Sequence, residues 1–522
     1  MQPPDDTPAG HHQATEVHLP LGRAAVPASG NTYITSIAPF TGAALGQVPH
    51  CDAGDVDRAF IAARTAQQRW SARDPRQRAA VFLRFHDLLL RHQDEVLDLI
   101  QLESGKARKH AFEEIIDAAL TTRYYSLHGR ALLRPRRRRG ALPLLTTAVE
   151  HRRARGVVGV LTPWNYPLTF AVGDVLPALI AGNGVVCKPD VHGAFTAVWV
   201  QTMMRRAGLP EGLFQIVTGP GHQVGPLVVT RSDYVCFTGS TKTGRDVAQL
   251  AGAHLIGCTL ELGGKNAFIV LDDADVDDAA AGAVRACYTS AGQLCMSTER
   301  VLVHTGRYDA FLHAFAEKTR ALRLGTSLDY HADMGSLVSA THLESVHNYV
   351  EDAVNKGARL VTGGHHRPEV GPFFYEPTIL TDVTPHMPLH GQEVFGPVAA
   401  VYPFHDEHDA IRQANTGPFG LNASIWTSRP RRGRNLGTHI RTGTVNINEP
   451  YAAAYASLDA PMGGMKDSGI GRRHGREGIL NYTESQTIAT QRFLPLDAPA
   501  NMSSCSYARL SSRLLRLTKR FG

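Results

Sequence analysis

Cys295 stands in the stretch SAGQLCMS, with a glycine shortly before it. A cysteine on a bare, accessible loop ionises to a thiolate that attacks carbonyl carbons strongly. Glu261 stands in TLELGGKN, close before Gly263 and Gly264. A carboxyl group in partly apolar surroundings has a raised pKa and suits general-base work. Each residue also has an ordinary reading, since most cysteines are inert core thiols and most glutamates are structural. Lys188 follows GVVC at a strand end, where open α/β sheets bind ligands. The run Thr238, Gly239, Ser240 to Gly244 (TGSTKTG) links a strand to a helix. Its glycines admit close backbone approach, and a helix N-terminus favours phosphate. The spacing departs from GxGxxG, and by itself the turn fits an ordinary βα connection equally well.

Elements must bring these residues together. After Gly156, GVVGVLTPW reads as a buried strand and a helix follows from about Leu168. GNGVVCKP is a second strand, 194–207 a helix, LFQIVTG a third strand, and DYVCFTGS a fourth with a helix over 242–253. The alternation resumes after Glu261 with NAFIVL, DVDDAAAGAVRACYTSAG, RVLVH and YDAFLHAFAEKTRAL. GTVNINEP reads as a strand, PMGGMKDSGIGRRHGREG as a glycine-rich loop and TESQTIATQRF as an exposed strand. Such alternation implies parallel sheets with right-handed crossovers. Upstream, helices are expected over 55–70 with Asp55 as N-cap, over 77–102, and over 111–127. Residues 1–30 are rich in Pro, Gly, His and Ala and are expected to be disordered.

The 522 residues are 43% hydrophobic and 20% charged, enough for two or three domains of an ordinary globular protein. No apolar run is long enough to span a membrane, and the polar N-terminus is no secretory signal. Seven cysteines without a CxxC pair fit neither a disulfide framework nor zinc and point to a reduced cytoplasmic protein. The net charge of +6 is concentrated in Arg134, Arg136, Arg137, Arg138 and Arg139, followed by Arg152, Arg153 and Arg155. A charge run is usually a solvated face, so nucleic-acid binding is disfavoured. The basic end, SSRLLRLTKRFG, is expected to fray, with contact to a membrane surface or a neighbouring subunit as the alternative.

Seven stretches together resemble the aldehyde dehydrogenase superfamily from about Ile34 to Gln486: PWNYP (163–167), CKP (187–189), FTGSTKTG (237–244), LELGGKN (260–266), GQLC (292–295), EVFGPV (393–398) and PMGGMKDSGIGRRHG (461–475). The resemblance implies that Cys295 attacks the aldehyde and that the Asn165 amide and the Cys295 backbone N–H hold the oxyanion. Glu261 then activates the water that hydrolyses the thioester. On the cofactor side it implies Lys188 at ribose hydroxyls and Glu393 at the nicotinamide ribose. Gly239 and Ser240 lie by the pyrophosphate, flanked by Thr238 and Gly244, and Phe395 packs beside the nicotinamide ribose. Trp164 of PWNYP joins the cofactor site, and no metal is needed.

The implied fold is α/β. A Rossmann-like cofactor domain spans 31–130 and 153–260, and a second α/β catalytic domain spans 261–480. A small β bridging (oligomerisation) arm comprises 131–152 and 481–498, between a tail over 1–30 and a basic tail over 499–522. The implied partners are a small-molecule aldehyde and copies of the chain itself in a homodimer or homotetramer, with no nucleic acid and no stable membrane insertion. The nearest branch resembles succinate-semialdehyde dehydrogenases, so the implied reaction is NAD(P)-dependent oxidation of an aldehyde to an acid, succinate semialdehyde being one candidate. Better-known members of that activity hold the substrate carboxylate with two arginines, at positions occupied here by Gly173 and Thr289. A redox-switch cysteine of some members is replaced by Ser297. NAD-preferring members often carry a glutamate at the position of Val191, so either NADP or NAD is expected, with NADP slightly favoured. The competing readings are a CoA-acylating aldehyde dehydrogenase, which usually lacks the base, and a non-catalytic binding or structural protein, which tends to lose nucleophile or base.

Overall fold

Asp52 opens the first long helix. Its side chain accepts from the Asp55 N–H at 2.8 Å while Asp55 accepts from the Asp52 N–H at 2.9 Å. This reciprocal capping box starts the helix Ala53–Ser71, so Asp55 lies inside the first turn and Asp52 is the cap. The helix expected over 77–102 is two, Pro75–Arg91 and Gln93–Ser104, interrupted at His92 with φ −108° and ψ 24°. The apolar positions on either side, Leu89 and Val96, stay two helical turns apart, so periodicity conceals the break. The third helix, Arg108–Leu133, outruns its expected limits at both ends. The computed structural model describes residues 29–30, 32–139, 146–491 and 497–519, so the expected N-terminal disorder falls, Ser29 and Gly30 apart, outside the described residues.

Strands β1 (Tyr33–Ile37) and β2 (Ala44–Pro49) form an antiparallel hairpin. β3 (Arg136–Arg139) and β4 (Thr146–Ala154) belong to a small sheet completed near the C-terminus. β5 (Val157–Thr162), β6 (Gly184–Pro189), β7 (Phe214–Ile216), β8 (Tyr234–Thr238) and β9 (Gly257–Glu261) form a parallel sheet in spatial order 9-8-5-6-7. The chain steps outward from β5 through β6 to β7, then returns to β8 on the other side of β5. Such a reversal opens a ligand crevice at the strands' carboxyl ends.

A four-residue link, 262–265, carries the chain from β9 directly into β10 (Asn266–Val270) of the second sheet. That sheet continues with β11 (Thr298–His304), β12 (Arg359–Thr362), β13 (Thr378–Thr381), β14 (Val398–Phe404), β15 (Asn422–Trp426) and β16 (Thr444–Ile447). Its spatial order is 12-13-14-11-10-15-16, parallel except for β12. The run expected as a glycine-rich loop holds β17 (Gly469–Ile470) and the helix Gly475–Leu480. β17 pairs antiparallel with β9, placing Gly469 opposite Glu261. β18 (Thr483–Gln491) pairs with β4 along its length, giving the three-stranded order 18-4-3 with β18 at an exposed edge. The buried Glu150 carboxylate accepts from Arg138 and Arg152 in this sheet, so part of the arginine run is paired.

The basic end is a helix, Ser504–Thr518, with the Ser503 side chain accepting from the Ser506 N–H at 3.2 Å. The fraying expectation overlooked this N-cap. Among the described residues no helix is long and apolar enough to cross a membrane.

Candidate active site

Residues just beyond three strand ends line the crevice of the first sheet: Pro163 and Trp164 after β5, Lys188 and Asp190 at the end of β6, and Thr238, Gly239 and Ser240 at the end of β8. Lys188 is 5% exposed and burial lowers the pKa of its ammonium, with Asp190 opposing. Ser240 caps the helix Thr241–Ala253 by accepting from the Thr243 N–H at 3.3 Å, so that helix points its N-terminus into the crevice. A Cβ on Gly239 would lie 2.6 Å from the Phe237 ring, which is why glycine stands there. A buried cation and a helix N-terminus at a switch-point crevice suit the phosphates and ribose of a dinucleotide. Gly244 faces the other way. A Cβ there would lie 2.3 Å from Leu262, so this glycine sets how closely the helix packs on the chain beyond β9.

Glu393 reaches the same region from the second sheet's side. Its Oε1 accepts from the Gly264 N–H at 2.8 Å, and burial raises its pKa to about 8. The Phe395 ring meets Trp164 edge-on at 5.8 Å, and His342 Nε2 bonds the Phe395 carbonyl oxygen at 2.8 Å. The turn holding these side chains is clamped from below: Glu299 accepts from the N–H groups of Val394 and Phe395 at 2.9–3.0 Å and pairs with buried Lys265.

Cys295 sits between the helix Val276–Tyr288 and β11. Ser290, Ala291 and Gly292 take positive φ of 53°, 55° and 72°. For non-glycine residues this costs roughly 1–2 kcal/mol each, and the surroundings must enforce it. The Tyr166 hydroxyl meets Ser290 Oγ at 3.0 Å, and Gln293 Nε2 donates to the carbonyls of Ser290 and Ser336. Asn266 Nδ2 donates to the carbonyls of Cys295 and Ser297 at 2.8 and 2.7 Å. A Cβ on Gly292 would lie 2.0 Å from the Gly396 carbonyl oxygen, so glycine alone lets the GQLC and EVFGPV segments meet. Asn165 Nδ2 donates to the Gln293 carbonyl at 3.0 Å, tying that amide to the cysteine loop and leaving its second hydrogen for another acceptor.

Cys295, Glu261 and Thr238 line one cavity, and Thr238 also lines the crevice, so the two spaces adjoin there. Glu261 is 5% exposed, its Oε1 has no hydrogen-bond partner, and burial raises its pKa to about 8 against the nearby Arg473. Burial, then Glu261 and Glu393, pushes the Cys295 thiol up to about 12. An uncharged thiol and a carboxyl whose pKa is about 8 share this cavity, so each must lose its proton before the one can act as nucleophile and the other as base.

Several residues of the site escape sequence reasoning. Arg473, in the GRRHG run, lines the cavity, donates to Thr238 Oγ1 at 2.7 Å and pairs with buried Asp174. Lys265 and Asn266 lie within LELGGKN without announcing their clamping roles. Lys106 lies in no motif. Its Nζ donates to Glu114 and to the Asn165 carbonyl, both at 2.6 Å.

The family model described as the aldehyde dehydrogenase family matches residues 25–488. A Mycolicibacterium smegmatis protein bearing a succinate-semialdehyde dehydrogenase [NADP(+)] name is 46% identical over 481 residues, 92% of this chain and 93% of the relative. Among solved structures, an NADP dependent enzyme of E. coli is similar with a TM-score of 0.85 and 33% identity, covering 89% of this chain and 96% of the other. An NAD-dependent aldehyde dehydrogenase from Sinorhizobium meliloti is similar with a TM-score of 0.87 and 33% identity, covering 91% and 94%.

Proposed function

The chain belongs to the aldehyde dehydrogenase family, and we propose that Cys295 and Glu261 are the nucleophile and general base with which it oxidises an aldehyde to a carboxylic acid. NAD or NADP is the cofactor. The reading rests on one observation: a buried carboxylate oxygen without a partner and a loop-borne thiol share a cavity that adjoins a dinucleotide-type crevice.

Cys295 loses its thiol proton to solvent, and the thiolate adds to the aldehyde carbon, giving a tetrahedral thiohemiacetal. Its oxyanion accepts from the free hydrogen of the Asn165 amide and from the Cys295 N–H. A hydride, two electrons with a hydrogen nucleus, then leaves this carbon as its C=O bond re-forms, and a bound nicotinamide would supply the acceptor. Lys188, the backbone at Gly239 and Ser240, Glu393, Trp164 and Phe395 would hold that dinucleotide. The carbon is then a thioester on Cys295. Glu261 removes a proton from water as it attacks, the C–S bond breaks, and the acid leaves as the thiol is restored.

β18, exposed along most of its length at one end of the 18-4-3 order, supports assembly into a homodimer or homotetramer, since a sheet edge is a template for pairing. Seven unpaired cysteines support a reducing, cytoplasmic setting. The test is aldehyde-dependent absorbance of NADH or NADPH with the product acid identified. Turnover without CoA is expected; turnover that requires CoA and yields an acyl-CoA refutes the role given to Glu261.

A further inference from the structure

Beyond β18 the chain changes character. After Asp497 it carries no acidic side chain, and its cations are Arg509, Arg513, Arg516, Lys519 and Arg520. The helix Ser504–Thr518 sets Arg509, Arg513 and Arg516 in one stripe, at spacings of four and three. Tyr507, Leu510, Leu514 and Leu517 make a second stripe, at spacings of three, four and three. With 3.6 residues per turn the two stripes run side by side, roughly 110° apart round the helix.

Leu510, Leu514 and Leu517 are 47–68% exposed, and the three arginines are exposed beside them. Among the helix's described side chains only Tyr507 and Ser511 are half-buried. A helix of about 12–15 residues is marginal in water unless an apolar face packs against something, and this one has 15. Its counterpart must be apolar under the leucines and anionic beside the arginines. Anionic headgroups over acyl chains are both. A second copy of the chain answers the charge poorly, because each copy carries +6 and presents the same arginines. Nucleic acid would answer the arginines and leave the leucines in water. The helix is too short to cross a bilayer, which takes about 20 residues.

We infer that the helix Ser504–Thr518 docks the protein on an anionic lipid bilayer, lying in the plane of the headgroups with Leu510, Leu514 and Leu517 in the acyl boundary and Arg509, Arg513 and Arg516 at the phosphates. Arginine suits that border, because its stem covers apolar surface while the guanidinium stays among the headgroups. Attachment of this kind is reversible and salt-sensitive. It uses no residue of the Cys295 cavity or the Lys188 crevice, so it stands apart from the aldehyde chemistry.

The test sediments the full chain with vesicles of phosphatidylcholine containing a third phosphatidylglycerol, and with vesicles of phosphatidylcholine alone. The anionic vesicles are expected to bind it at least about tenfold more tightly. Raising salt from about 0.1 to 0.5 M should release most of the bound protein. Arg509→Gln/Arg513→Gln/Arg516→Gln should lower the partition coefficient about a hundredfold, and Leu510→Ser/Leu514→Ser/Leu517→Ser should lower it at least as far. Both variants should keep the wild-type oligomeric state and thermal midpoint, which separates lost docking from lost folding. Vesicle binding is read without aldehyde or cofactor, so its outcome does not depend on the oxidation proposed above. Wild-type protein that stays in the supernatant with anionic vesicles overturns the inference. Equal binding to neutral vesicles also overturns it, as does undiminished binding by either triple variant. A leucine variant with a smaller assembly than the wild type would overturn it too, since the stripe would then belong to a second copy.

Discussion

Replacing Lys106 with methionine should cost both stability and activity. The Lys106 ammonium lies 2.6 Å from Glu114 with side-chain exposures of 2% and 0%. At that separation and an effective dielectric near 20, the attraction is about 6 kcal/mol. Desolvation of both ions takes back a large part, and removing one partner of a buried pair typically costs about 3–5 kcal/mol because the other charge is stranded. Glu114 would be stranded while still accepting from the N–H groups of Leu168 and Thr169 at 2.9 and 3.1 Å. Burial already raises its carboxyl pKa, with Lys106 opposing. In Lys106→Met that opposition is gone, the folded-state value rises further above the unfolded one, and the folded protein holds the extra proton. The deficit should therefore be smaller at pH 5 and grow as pH rises towards 8. Lys106→Met/Glu114→Gln leaves no stranded charge and should be less damaged than the single variant. Both lose the Lys106 bond to the Asn165 carbonyl, so both should lose kcat through a misplaced oxyanion donor. Denaturant midpoints at the two pH values, with kcat alongside, make the test. A single-variant loss below about 1 kcal/mol, or a double variant at least as damaged as the single, would refute the reasoning.

The remaining predictions concern the cofactor and pH. With Val191 where a glutamate repels a 2′-phosphate in NAD-preferring members, NADP should be used at least as well as NAD; a tenfold or greater preference for NAD in kcat/KM, about 1.4 kcal/mol, rules this out. Burial holds the Glu261 pKa at about 8. The base must be unprotonated, so hydrolysis of the acyl-enzyme should rise with pH through about 8 and then level, and a flat profile from pH 6 to 9 would contradict this.

Much of the site was legible because its chemistry lies in short segments with glycines at fixed places. Gly239 and Gly292 are required by close approaches that any side chain would block, and such constraints leave marks in a sequence. The alternating strands and helices were equally plain, since burial on both faces makes β5, β6 and β8 continuous apolar runs. What stayed hidden depends on long-range pairing. Lys106 meets Asn165 across 59 positions of sequence, and Arg473 meets Asp174 across 299. The break at His92 left the apolar phase intact. The helix Ser504–Thr518 was missed because its stretch was judged by charge and position rather than by the serine that caps it. Gly244 was grouped with the phosphate turn by motif, whereas its place on the helix faces Leu262.

The division of labour between Cys295 and Glu261 is tested most directly by following the first turnover of two variants. Cys295→Ala should show neither a burst nor steady formation of NAD(P)H. Glu261→Gln keeps the thiol and the Asn165 donor but its amide cannot take water's proton, so the acyl-enzyme should form and persist. A burst approaching one reduced cofactor per site should survive, slowed if Glu261 also helps deprotonate the thiol, and steady turnover should fall by about a hundredfold to ten-thousandfold. Intact-protein mass spectrometry should then find the acyl group on Cys295. Wild-type steady turnover in Glu261→Gln, or an acyl group on any residue other than Cys295, would contradict the account.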